Sequence, residues 1–224
     1  MRLDLQAPII VMVGAWNPAI FAPPWIARNL FGIPEGEPIR VAQAVVDEKP
    51  PKTRLYIQDI GITAMSQRVE LTLNSFTPDV LERTEHVACN LLGVLPHTPL
   101  GPLGINFVFL ESEPGADLLD KIRPADDIDQ HFKINKTLLT NEIDWGDDVQ
   151  LNFQRGVSDA GVRFDFNFNY SRSRSQPVAD IVRNSLNDRC NDAKGVLAAL
   201  YDIPEFDDPL MVDLTPGNQP GEGS

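Results

Sequence analysis

The sequence predicts an α+β protein: two similar β-α-β-β-β-α halves, with antiparallel sheets covered by helices, followed by a C-terminal tail. Three observations carry this. Strand-like and helix-like segments follow one order twice. The string Arg68-Val-Glu-Leu-Thr-Leu-Asn74 is paralleled 95 positions on by Arg163-Phe-Asp-Phe-Asn-Phe-Asn169. A Cys-Asn pair also stands in each closing helix, at Cys89-Asn90 and Cys190-Asn191. Order and residues agreeing together read as an internal duplication. The halves span 1–96 and 103–203, the Pro/Gly-rich connector 97–102, and the acidic Pro/Gly-rich tail 204–224.

The first half opens with a compact apolar run, Ile9 to Trp16, suited to a buried strand and ended by Asn17-Pro18. Pro23 and Pro24 fit a first helical turn, Trp25, Ile26, Leu30 and Phe31 give an apolar side, and Gly32 with Pro34 closes the helix. Three strands follow, at Pro38 to Val46, Arg54 to Met65 with a kink near Gly61, and Arg68 to Asn74. In the last, Val69, Leu71 and Leu73 alternate with Glu70 and Thr72, which predicts one wet face. Thr77-Pro78-Asp79 supplies a capping hydroxyl, a proline at the first helical position and an acid in the first turn. Val80, Leu81, Thr84, Val87, Ala88 and Leu91 then keep helical spacing until Gly93 and Pro96.

The second half repeats the order. A strand at Gly104 to Leu110 precedes a helix at Ala116 to Ile122, broken by Pro124. Strands at Lys133 to Trp145, Asp148 to Gln154 and Val162 to Tyr170 come next, with Asp144-Trp-Gly-Asp147-Asp148 as a hairpin turn. One long helix opens at Pro177 and runs to Pro204 on Ile181, Val182, Leu186, Ala193 and Leu197. In element order alone this resembles the duplicated saddle of TATA-box-binding proteins, which has a further strand per half. No motif of that family is matched, and the resemblance carries over no residue or activity.

Composition bounds the function. The chain of 224 residues is 42% hydrophobic and 23% charged, enough to bury roughly 70% of its unfolded surface. Its 19 Lys+Arg against 32 Asp+Glu leave −13, a field that repels phosphates and anionic lipid. Two cysteines without a Cys-x-x-Cys motif exclude a disulfide framework and a Cys-built zinc site. No apolar run is long enough to span a bilayer and no export signal is evident, so the expected location is cytoplasmic. Gly-x-x-x-x-Gly-Lys-Ser/Thr, Gly-x-Gly-x-x-Gly, Gly-x-Ser-x-Gly and His-Glu-x-x-His are absent, which removes the commonest nucleotide, esterase and zinc-protease signatures.

Five groups of side chains remain as candidates. Asp127, Asp129 and His131 would share a face of an extended segment and suit a transition metal, but the stretch reads as a solvated acidic loop, so no metal or other cofactor is expected. His86 and Cys89 lie three apart on a helix, the spacing of a base and a thiol, yet Cys89 flanks the apolar stripe as a buried structural thiol does. His97 belongs to the connector turn. Tyr170, Arg172 and Arg174, in a basic loop, form a small anion or partner site. Phe206, Leu210, Met211 and Leu214 in the acidic tail form a docking element. The polar side of the Phe164-Phe166-Phe168 strand offers a broad neutral surface for a partner. The reading is a non-enzymatic interaction or assembly subunit with a protein partner or homo-oligomer. The alternatives are a nucleic-acid-related protein, either an acidic mimic or a weak RNA or anion binder through Arg172 and Arg174, and a metal-dependent hydrolase.

Overall fold

Two short strands open the chain, the second of them within the N-terminal apolar run. In the computed structural model, which describes residues 1–46, 52–122, 134–146, 149–170 and 178–207, these are β1 (Arg2–Leu3) and β2 (Ile10–Gly14). Helix α1 (Pro23–Leu30) follows, then β3 (Ala42–Val46), β4 (Lys52–Ile57), β5 (Ile60–Ala64) and β6 (Arg68–Leu73). Helix α2 (Pro78–Val94) starts where the capping signal placed it: Thr77 Oγ1 accepts the Val80 N–H at 3.3 Å. The chain continues through β7 (Leu100–Glu111), α3 (Ala116–Ile122), β8 (Lys136–Asp144), β9 (Val149–Ser158), β10 (Gly161–Tyr170), α4 (Val178–Val182) and α5 (Ser185–Tyr201).

All the strands join one sheet in the order β3-β4-β5-β6-β2-β7-β10-β9-β8, with β1 beside β2 on the same edge of β7, and every strand pair is antiparallel. The fold is therefore mixed helix and strand on a largely antiparallel sheet. Helices α1, α4 and α5 contact α2, and the helices pack on one face. Alternation decides which side chains meet them. Met12, Ile62, Leu71, Ile105, Phe107, Phe109, Leu151, Phe153, Phe164, Phe166 and Phe168 enter one core with Ile26, Leu30, Leu91 and Leu197. At its centre the Phe153 and Phe166 rings stack with centroids 4.6 Å apart. Between helices, Asn90 Nδ2 donates to the Leu30 carbonyl at 2.9 Å, satisfying an acceptor left over at the end of α1.

Three expectations are corrected. The segment Arg54 to Met65 is not one kinked strand but the hairpin β4-β5, turned at Gln58 and Asp59 with φ of 48° and 66°. Four strands therefore stand between α1 and α2, where three were expected. β6 has no wet face, because Glu70 and Thr72 are 4% and 0% exposed. The long final helix breaks at Asn184, whose φ is 60°. There the carboxylate of Glu85 from α2 accepts the N–H groups of Asn184 and Leu186, and α5 starts afresh. No helix among the described residues is long and apolar enough to cross a membrane.

Candidate functional site

The candidate site is the sheet face opposite the helices. Register assigns its residues: Asn106 of β7 lies opposite Asn167 of β10, and Asn167 opposite Asn152 of β9, which in turn faces Glu142 of β8. Their carboxamides link into a ladder across the strands. Asn152 Nδ2 donates to Asn167 Oδ1 at 3.2 Å, Asn167 Nδ2 donates to Asn106 Oδ1, and Asn106 Nδ2 donates to the Pro8 carbonyl at 3.1 Å. Gly104 makes room for this, since a Cβ there would stand 2.9 Å from Asn167 Nδ2.

The next row along the strands holds Asp165, Gln154 and Thr140. Gln154 Nε2 donates to Thr140 Oγ1 at 3.1 Å. Asp165 receives Arg163 through Nε at 2.9 Å and Nη2 at 2.7 Å, and Arg163 Nη1 reaches Asp4 at 3.4 Å. Burial works against the Arg163 charge, but the bonds to Asp165 and the charge of Asp4 outweigh it and raise its pKa.

Beyond β2 the same face becomes a buried polar cluster. Arg54, 3% exposed, donates through Nη1 to the Gln6 carbonyl at 3.3 Å, to Gln6 Oε1 at 3.2 Å and to the Tyr56 hydroxyl at 3.4 Å. Its Nε reaches Thr63 Oγ1 at 3.4 Å. Glu70 accepts from Arg68 Nε at 2.6 Å, with Lys52 Nζ at 4.0 Å. Asp4 and Gln6 are thus held from two directions, by Arg163 of β10 and by Arg54 of β4. Sequence reasoning missed Arg54, Glu70, Asn106 and Asn152. The signal available was the polar member of each alternating pair, in Arg54-Leu55-Tyr56-Ile57 and in Leu151-Asn152-Phe153-Gln154.

The other sequence candidates lie elsewhere. Tyr170 is buried on the helix side, in line with Phe164, Phe166 and Phe168, and its hydroxyl accepts from Arg189 Nε at 2.8 Å. Arg172 and Arg174 fall outside the described residues, as do Asp127, Asp129 and His131. Phe206 packs on the protein's own body, its ring 5.3 Å from that of Phe109 with Lys194 Nζ 5.3 Å from its centroid. Leu210, Met211 and Leu214 fall outside the described residues. Cys89 is half-buried and donates its thiol to the Ala179 carbonyl at 3.4 Å, while His86 and His97 are exposed. Burial raises the Cys89 pKa, opposed by Arg183 and reinforced by Glu85 and Asp180. Among the described residues no three His, Cys, Asp or Glu side chains are grouped to hold a metal ion.

No protein-family model matches the chain. No characterised protein matches its sequence significantly.

Proposed function

We propose that the protein is a non-enzymatic interaction or assembly subunit that receives a protein partner on the sheet face opposite its helices. The carboxamide ladder of Asn106, Asn167 and Asn152 carries this reading. Carboxamides both donate and accept, so a row of them offers hydrogen bonds of either polarity to the amides of another polypeptide without a strong field of one sign. The flanking Asp165, Glu142, Gln154 and Arg163 supply a polar rim. Phosphate binding is disfavoured by the acids on this face and by the net charge of −13. The free thiols of Cys89 and Cys190 support a cytoplasmic, reducing setting.

The internal duplication belongs to the same proposal. Outward from the central pair β2 and β7, one side runs β6, β5, β4 and the other β10, β9, β8, each after one helix, with β3 an addition at the outer edge. That order supports an ancestral β-α-β-β-β-α unit, divided before Leu100, since Leu100, Gly101 and Pro102 of the expected 97–102 connector already belong to β7.

Affinity capture from native lysate, followed by mass spectrometry, tests the function. A stoichiometric partner is expected with the unaltered chain, lost when Asn152 and Asn167 are both changed to alanine and kept when Arg183, exposed on α4's side, is changed instead. Equal recovery by the Asn152/Asn167 variant, or no stoichiometric partner at all, would overturn the reading.

A further inference from the structure

The two ends of the sheet differ, and β8 is the longer edge. Its nine residues pair only with β9, so among the described residues its outer side carries no strand. The hydrogen-bond pattern fixes which backbone groups face outward. Trp145 N donates to the Val149 carbonyl at 2.9 Å, so Trp145 and Val149 are a bonded pair, and bonded pairs alternate along an antiparallel ladder. Thr137, Leu139, Asn141 and Ile143 therefore bond inward to β9. Lys136, Leu138, Thr140, Glu142 and Asp144 turn their N–H and C=O groups to the free edge.

Little protects that edge. It has no proline and no bulge, its register runs unbroken from Lys136 to Asp144, and Leu138 is 49% exposed. Its charges sit at opposite ends, with Lys136 first and Glu142 and Asp144 last.

We propose that a second copy of this chain pairs with β8 along this edge, antiparallel and about a two-fold axis at Thr140. In this register every outward-facing residue meets another outward-facing residue, and the full strand is used, giving about ten backbone hydrogen bonds. Thr140 lies opposite Thr140 of the second copy. Lys136 lies opposite Asp144 of the second copy, and symmetry repeats that ion pair at the other end. Leu138 gains cover beside Glu142 of the second copy. Sliding the register by two residues towards Lys136 sets it opposite Glu142 of the second copy instead, so charge alone does not choose; the slide shortens the ladder by one pair of outward-facing residues, and the backbone selects the alignment at Thr140. The inference does not rest on the partner reading above: Thr140 and Glu142 border the polar face, but the pairing uses their outward backbone groups and not the carboxamide ladder of Asn106, Asn167 and Asn152.

Sedimentation velocity of the full chain from about 1 to about 100 µM tests it. The unaltered chain is expected to dimerise across this range. Thr140→Pro removes an N–H that serves only the free edge, so it should give a monomer whose circular dichroism melt stays close to that of the unaltered chain. Lys136→Asp sets two like-charged pairs face to face and should weaken the dimer about tenfold or more. Combining it with Asp144→Lys reverses both ion pairs and should recover most of that loss. A monomer at every concentration, a dimer indifferent to Thr140→Pro, or a charge swap that fails to recover the loss would each overturn the proposal.

Discussion

The carboxylate of Glu85 accepts the backbone N–H of Leu186 at 2.7 Å and that of Asn184 at 2.8 Å, so a side chain from the middle of α2 caps the start of α5. Neither Asn184 nor Ser185 caps this end with its own side chain, and Asn184 adopts a left-handed conformation. The first free N–H groups of α5 are therefore satisfied from another element. Glu85 is 6% exposed, within the layer where α2 meets α4 and α5. The contact joins the helix that closes the first run of strands to the helix that closes the second.

Replacing Glu85 by alanine should cost about 3 kcal/mol in urea unfolding, because it leaves two N–H groups without acceptors in a largely dry layer. Glu85→Gln keeps one acceptor oxygen and should lose about half as much. Equal stability of all three chains would show that water replaces the carboxylate at no cost.

Gly61 occupies a position where the sheet has no room for a side chain. A Cβ there would stand 2.3 Å from Thr72 Oγ1, 2.7 Å from Tyr56 Cε1 and 2.9 Å from Arg54 Cδ. Gly61→Ala should destabilise by about 2 kcal/mol through overpacking. Adding Thr72→Ala removes the nearest atom, so the double variant should be more stable than the sum of the single losses predicts. Strict additivity in a double-mutant cycle would show that the strain lies elsewhere.

Local signals survived into the structure, and signals that depend on distant residues did not. Thr77-Pro78 starts α2 because its cap is made within one turn. The alternation of Phe164, Phe166 and Phe168 with Asp165 and Asn167 was legible because strand geometry alone separates the two faces. The β4-β5 hairpin was hidden because neither Gln58 nor Asp59 is a glycine or asparagine, the usual markers of a turn with two positive φ values. The break at Asn184 was hidden because its partner Glu85 lies about a hundred residues away in sequence. The alternation around Glu70 was visible, but not that its polar side would be buried. The carboxamide ladder depends on register between three strands, which alternation within each strand does not encode.

The two thiols should react very differently. Burial pushes the Cys190 thiol from its ordinary 9.0 up to about 11, only partly opposed by Lys194, and the residue is 2% exposed. In native protein at pH 8, a disulfide reagent should label Cys89 slowly and Cys190 only after unfolding. Between about pH 9 and pH 11 the unfolded chain releases a proton that the native Cys190 retains. Stability should therefore fall as pH rises through this window, by on the order of 2 kcal/mol from this group. Comparing Cys190→Ala with the unaltered chain across that range isolates the contribution. Rapid native labelling of Cys190 at pH 8 would contradict its placement in the core.

The last prediction concerns the end of the described chain, where the sequence places the start of a tail. Phe206 is not held away from the protein: its ring lies 5.3 Å from that of Phe109 on β7, and Lys194 of α5 sits over it. One residue on, Asp207 N donates to the Met1 carbonyl at 2.8 Å and forms a parallel bridge with Arg2. These contacts cover the sheet beside β1, which has only two residues of its own to hold it. A chain ending at Pro204 gives up the aromatic contact, the cation over the ring and the bridge together. Compared with a chain ending at Asp207, it should lose about 2 kcal/mol and melt several degrees lower. Phe206→Ala in the longer chain should reproduce most of that fall, since the ring supplies most of the buried apolar area. Hydrogen exchange at Leu3 offers a second reading, because loosening this corner frees β1 before the rest of the sheet. Coincident melting curves for the two truncated chains would show that Phe206 rests on the surface without stabilising it.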